Sequence, residues 1–138
     1  MADVSVTAAS VAFSTQAVIR REYTFGETVT VGQVVYLNSS NQWMKTDSNA
    51  GTSGNLLTDL RGIAVAAGNL NQPAAVCTSD PGFTVGGTIV NGTSYYTSNT
   101  AGAISNTVPT TGDYPTFLGL AKSTTVLNLN PIATGVVI

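Results

Sequence analysis

Short runs rich in Val, Thr, Ile and Tyr recur along this chain between clusters of Gly, Asn, Ser and Pro, and almost nowhere do apolar residues repeat with a helical period. β-Branched and aromatic residues favour extended backbone, whereas the interrupting residues supply turns. Such punctuation belongs to a sandwich or a barrel. It predicts strands near 3–7, 11–19, 28–37, 42–46, 61–66, 73–78, 87–90, 93–98, 102–106, 117–122 and 124–129, with GVVI (135–138) as a short terminal addition. The expected fold is all-β: a compact β-barrel or β-sandwich of short antiparallel strands with little or no helix. NSSN (38–41) reads as a polar hairpin loop and SDPGF (79–83) as a turn, because Pro81 presets φ and Gly82 accepts positive φ. DSNAGTSGN (47–55) and NTVPTTGDYP (106–115) read as loops, with LLTDL (56–60) as a single helical turn.

One pattern occurs twice. Gly32 is followed four residues later by Tyr36, then by a polar turn, Trp43, a polar loop and LRGIAVAAG (60–68). Gly92 is followed four residues later by Tyr96, then by a turn, Ile104, a polar loop and FLGLAKS (117–123). The order and spacing predict an internally repeated β unit, 31–68 and 91–123, within a single domain covering 26–138. Residues 1–25 precede it as an N-terminal arm or as a first strand pair. The apolar residues of that segment alternate, which suits strand addition to a neighbour's sheet edge as well as pairing within the domain.

The length, 138 residues, is enough for one domain with its own core. Only 9% of residues are charged, while 21 Thr, 12 Ser, 11 Asn and 14 Gly dominate. Hydroxyls and amides, rather than ions, therefore keep the surface wet, and such a surface does little to resist association. The five basic residues are scattered, and the net charge is −2. No cluster exists to neutralise phosphates, so no nucleic-acid partner is expected. The Arg20–Arg21 doublet, followed at once by Glu22, reads as a solvated or interface pair. No apolar run approaches the ~20 residues that span a bilayer, so no membrane partner is expected. The first residues lack the basic and apolar regions of a signal peptide. Cys77 is the only cysteine and lies in an apolar strand-like run, which marks it as a buried small hydrophobe.

Histidine is absent, and with it the Ser-His-Asp and Cys-His arrangements. There is no CxxC or HExxH, and no glycine-rich phosphate loop precedes a helix. The carboxylates Asp3, Glu22, Glu27, Asp47, Asp59, Asp80 and Asp113 mostly stand in turn contexts, where Asp serves its own backbone. Neither an enzyme nor a cofactor or metal site is expected. Trp43 and Tyr114, beside polar loops, are either core residues or contacts to a neighbouring subunit, where aromatic side chains carry much of the binding energy.

The stretch GETVTVGQVVYLNSSNQWMKTDSNA, followed by LRGIAVAAGNLNQPAAVCTSDPGFTVGG, resembles the capsid cement and decoration proteins of tailed bacteriophages and related head-fibre domains. The resemblance covers about 26–90, with 91–129 as the second copy. It implies a structural virion protein on the outer capsid surface, made in the host cytoplasm, whose partners are the major capsid protein and itself as a homotrimer. It carries no catalytic residues over. The candidate contact residues are Val4, Val6, Val11 and Phe13 of the arm, Arg20, Arg21, Trp43 and Tyr114. A receptor- or glycan-binding module of a fibre or adhesin is the alternative function.

Overall fold

The computed structural model describes residues 3–47, 60–107 and 116–133. It is all-β: among the described residues the only helical piece is a 3-10 turn, Ala8–Ser10. The strands are β1 (Val11–Ala12), β2 (Val18–Arg20), β3 (Thr24–Phe25), β4 (Val34–Leu37), β5 (Gln42–Lys45), β6 (Arg61–Ala64), β7 (Val76–Val85), β8 (Ser94–Thr97), β9 (Ile104–Ser105), β10 (Thr116–Ala121) and β11 (Val126–Ala133). They form one continuous sheet in the order β3-β5-β4-β6-β7-β11-β10-β8-β9, with β1 and β2 both on β7. The sheet does not close into a barrel. Every pairing is antiparallel except that of β3 with β5.

The longest strand contains the expected turn. Asp80-Pro81-Gly82 lies inside β7 instead of ending a strand. Across from it, Leu127 pairs with Phe83 and Leu129 with Asp80, so β7 spends one more residue than β11 over this stretch. This is a bulge, a place where a strand tolerates a residue that cannot donate a ladder hydrogen bond. Up to the bulge β7 pairs with β6 and β2; beyond it the partners are β11 and β1. β7 therefore belongs to both halves of the molecule and re-aims between them. Similar local chemistry shortens other expected strands. The stretch 28–37 becomes β4 alone because Gly32, at φ 94°, makes a turn. The stretch 11–19 is interrupted between β1 and β2, residues 3–7 are extended with a single bridge at Asp3, and 87–90 forms no strand. The expected helical turn, apart from Leu60, and GVVI (135–138) lie outside the described residues.

The two copies of the repeated phrase make matching hydrogen bonds. In each, a turn closes with a bond from residue i+3 to residue i, Gln33 to Thr30 at 3.3 Å and Thr93 to Val90 at 3.1 Å. Gly32 and Gly92 stand at the third position with φ 94° and 79°, which is the type II pattern. The Gly32 amide donates to the Ala64 carbonyl at 2.8 Å, and the Ala64 amide to the Gln33 carbonyl at 2.9 Å. Correspondingly, Gly92 donates to Ala121 and Ala121 to Thr93, both at 2.9 Å. The middle strand of the first unit, β4, lies between β5 and β6; that of the second, β8, lies between β9 and β10. Tyr36 pairs with Arg61, whose guanidinium lies 5.4 Å from its ring centre, and Tyr96 pairs edge-to-face with Phe117 at 6.0 Å. The second unit differs by a bulge between Phe117 and Gly119.

Packing divides the apolar residues into two clusters. One, in the first half of the chain, holds Phe25, Val29, Val35, Leu37, Trp43 and Val76. The other joins the units: Val34, Ile63 and Cys77 of the first half pack with Phe83, Tyr95, Ile104, Leu118, Leu127 and Leu129. Each fully buried Leu, Ile or Phe contributes about 1.5–3 kcal/mol. Backbone bonds lock the units as well. The Val34 amide donates to the Gly102 carbonyl at 2.9 Å, the Gly102 amide to Thr46 at 2.8 Å and the Thr46 amide to Val34 at 3.0 Å. A loop of the second unit is thus held between two strands of the first.

Candidate attachment surface

The N-terminal segment lies along its own domain. The Val4 amide donates to the Ile104 carbonyl at 2.8 Å and the Thr7 amide to the Gly86 carbonyl at 2.8 Å, after which β1 and β2 pair with β7. Val4, Val6 and Val11 are half-buried over Gly32, Gly86 and Gly87, where a Cβ would stand within 2.8 Å of the arm. Absent side chains there provide the room in which the segment lies. Phe13 is exposed. Arg20 donates to Glu22 at 2.5 Å on the surface, and this bond holds the Glu22 carboxyl below its usual range and Arg20 above its own. The Arg21 side chain is exposed.

Between β1 and β2 the arm meets Asp80, which is fully buried at the bulge. The Ser14 amide donates to its carboxylate at 2.7 Å, the Ser14 hydroxyl donates to the other oxygen, and the Gly82 amide donates at 2.9 Å. Burial would raise the Asp80 carboxyl, but the two bonds from Ser14, the bond from Gly82 and the charge of Lys122 outweigh it and hold it below the ordinary range. Lys122 also donates to the Pro81 carbonyl at 2.9 Å. The Asp-Pro-Gly sequence signals backbone bending, but its carboxylate serves a segment 66 residues away, which local turn chemistry does not reveal.

Trp43 is fully buried and therefore offers no contact to a neighbour. Its ring meets Tyr23 at 67° and 6.4 Å, and its Nε1–H has no hydrogen-bond partner among the described residues. Tyr114 lies outside the described residues. Arg61 is buried against Tyr36, whose hydroxyl is raised above its ordinary value by burial and by Glu27, with Arg61 opposing.

The surface retains two further features. A cleft of about 300 Å³ opens between the arm, the Gly32 turn and the β8–β9 loop, lined by Val4, Val6, Ala8, Val31, Ala101 and Ala103 among others. Among the described residues its lining includes no charged side chain. Thr30, Gln33 and Thr100 supply its polar groups. The outer face of β8, β10 and β11 carries two cross-strand rows, Tyr96–Phe117–Ile132 and Ser94–Leu120–Asn128. Ile132 and Leu120 are 53% and 46% exposed. The composition hinted at such a surface through its few charges, but the choice of face depends on the bulge at Leu118, for which the sequence carries no visible mark.

Among the described residues no group of three or more Cys, Asp or Glu is placed to hold a metal ion, and no helix is long and apolar enough to cross a membrane. No known family model matches the chain, and no curated protein matches its sequence.

Proposed function

We propose that this is a structural virion protein that binds the outer surface of an assembled phage capsid and stabilises it by bridging neighbouring capsid subunits, acting as a homotrimer. The observation that carries this reading is the distribution of exposed apolar side chains. Phe13, Val18, Leu70, Val90, Leu120 and Ile132 project from the arm, from loops and from the outer sheet face, on a domain with few ions. Apolar contacts in several places suit a protein wedged among neighbours. The described part of the phrase on which the resemblance rests forms the Gly32 turn and β4 to β7, so its glycine, valines and tyrosine are used for architecture.

A protein that binds only the assembled shell stabilises it in proportion to occupancy, and many copies on one lattice act together. Mixing the purified chain with empty expanded capsids should give stoichiometric co-sedimentation and a higher capsid melting temperature. Glycan-array binding without any capsid binding would replace this reading with the fibre or adhesin alternative. The burial of Trp43 removes the ring that stacking on a sugar would most readily use.

A further inference from the structure

The N-terminal segment crosses the bulge of β7 with a joint of its own. β1 pairs beyond the bulge, Val11 with Val85 and Ala12 with Thr84; β2 pairs before it, Ile19 with Cys77 and Arg20 with Val76. Between them the Ser14 carbonyl accepts from the Ala17 amide at 3.2 Å and the Ser14 hydroxyl from the Gln16 amide at 3.2 Å, so the chain turns there. At this joint the Ser14 amide and hydroxyl donate to Asp80, which stands at the bend of the strand beneath. None of residues 3–20 is buried. Val4, Val11, Ala17 and Ile19 rest only half-covered on the core that joins the two units. Part of the room beside Val4, Val6 and Ala8 is the cleft of about 300 Å³ rather than packed side chain. Among the described residues, every sealed side chain comes from Phe25 onward.

We infer that residues 3–20 are a strap that opens from the domain as a unit while the rest stays folded, and that the negative charge on Asp80 is the catch that keeps it closed. Pairing stops at Arg21 and Glu22, both exposed, so the strap has a place to hinge. A segment that seals no side chain opens at lower cost than one that does. Bonds to a charged acceptor are the strong ones, and two from the strap end on this single carboxylate. A proton on Asp80 removes that charge and turns one acceptor oxygen into a donor facing donors. The other ionisable groups nearby do not replace it. Lys122 remains a cation and donates to the Pro81 carbonyl, and Cys77 on β7 remains a neutral thiol. Arg20 of β2 is engaged by Glu22, and Arg61 of β6 lies against Tyr36. Residues 11–17 and β11 carry no ionisable side chain. Because its bonds hold the Asp80 carboxyl below the ordinary range, the strap stays closed at neutral pH and opens as pH falls through that lowered value. The inference does not rest on the capsid reading, since the strap is followed in the free protein.

Hydrogen exchange on the full chain, corrected for the intrinsic rate at each pH, reads strap and body separately. From pH 7 to about pH 2.5, protection of the Val4, Thr7 and Ser14 amides should fall by about tenfold or more, the scale of a lost bond to a charged group. The Val34, Ala64 and Ala121 amides should keep theirs, and Trp43 emission should not shift. Ser14→Ala alters a half-exposed residue and should produce the same fall at pH 7. Asp80→Asn should lower strap protection at pH 7 and abolish the acid step; if that variant does not fold, Ser14→Ala decides. Asp3, which accepts from the Ser98 hydroxyl at 2.7 Å, is the strap's own carboxylate, and Asp3→Asn should retain the step. Strap amides that lose protection only together with the body would overturn the inference. So would a Ser14→Ala chain as protected as the wild type at pH 7, or an acid step lost in Asp3→Asn and kept in Asp80→Asn.

Discussion

Ser14 and Asp80 are 66 residues apart in sequence, yet the amide and hydroxyl of one satisfy both carboxylate oxygens of the other. The contact fastens the N-terminal segment to the bulge of β7 with a buried negative charge. Because the folded-state carboxyl lies below the unfolded value of about 3.9, its contribution is fully present above that pH and is lost as pH falls through the folded value. Urea denaturation followed at pH 7 and pH 3 should therefore show an acid-side loss of stability. In Asp80→Asn that particular pH dependence should disappear, while the pH 7 stability drops. An unchanged pH profile in the variant would show that Asp80 is not the group responsible.

Gly62 and Gly119 occupy equivalent positions where two strands nearly touch. A Cβ would stand 2.4 Å from the Cys77 carbonyl oxygen at Gly62 and 2.0 Å from that of Asn128 at Gly119. Either change to Ala must push backbone aside, at a cost of about 3 kcal/mol. Gly92→Ala adds a methyl into open space and bears only the strain of φ 79°, about 1–2 kcal/mol. In thermal melts Gly62→Ala and Gly119→Ala should both lose more than Gly92→Ala.

Trp43 is the only tryptophan, and its burial makes it an intrinsic reporter. Native emission should be blue-shifted and should move to the red in one step on unfolding. Trp43→Ala should cost about 3–5 kcal/mol through the cavity it leaves. Trp43→Phe removes the same buried donor, whose missing bond costs about 1–3 kcal/mol, but keeps a ring that fills most of the cavity, so it should cost clearly less. Equal losses in the two variants would contradict this assignment of costs.

Burial, and then the charge of Asp80, push the Cys77 thiol up to about 12. Thiolate is the reactive form, so the native protein at pH 8 should resist a thiol reagent. Full labelling should appear only in denaturant. Rapid labelling under native conditions would show that the β6–β7–β2 row opens readily.

The all-β class was legible because turn residues and β-branched runs act locally; of the glycines that marked the repeated phrase, Gly32 and Gly92 take positive φ in turns, and Gly62 and Gly119 sit where a Cβ would meet backbone. The bend at Asp80 was not legible. A turn and a mid-strand bulge use the same Pro-Gly chemistry, and only the paired strands on either side distinguish them. The placement of Trp43 was undecided for a related reason: its neighbour Gln42 is polar, and only the pairing of β5 with β3 and β4 puts Trp43 inside with Gln42 on the strand's other face. Val4, Val6 and Val11 showed the alternation of a pairing segment, but their seat on glycines more than twenty residues away could not be read from it.

Gly102, gripped between Val34 and Thr46, has a consequence for how the chain could be divided. Two similar units in tandem invite the idea of two modules that could be expressed, swapped or shortened separately. Here neither unit is such a module. A fragment ending before β8 would leave Val34, Ile63 and Cys77 facing water and two strands without their clasp, and one starting at β8 would lose the sheet against which its own core closes. The two similar units should therefore unfold as a single cooperative body, and a protease cut in either half should release the whole structure at once.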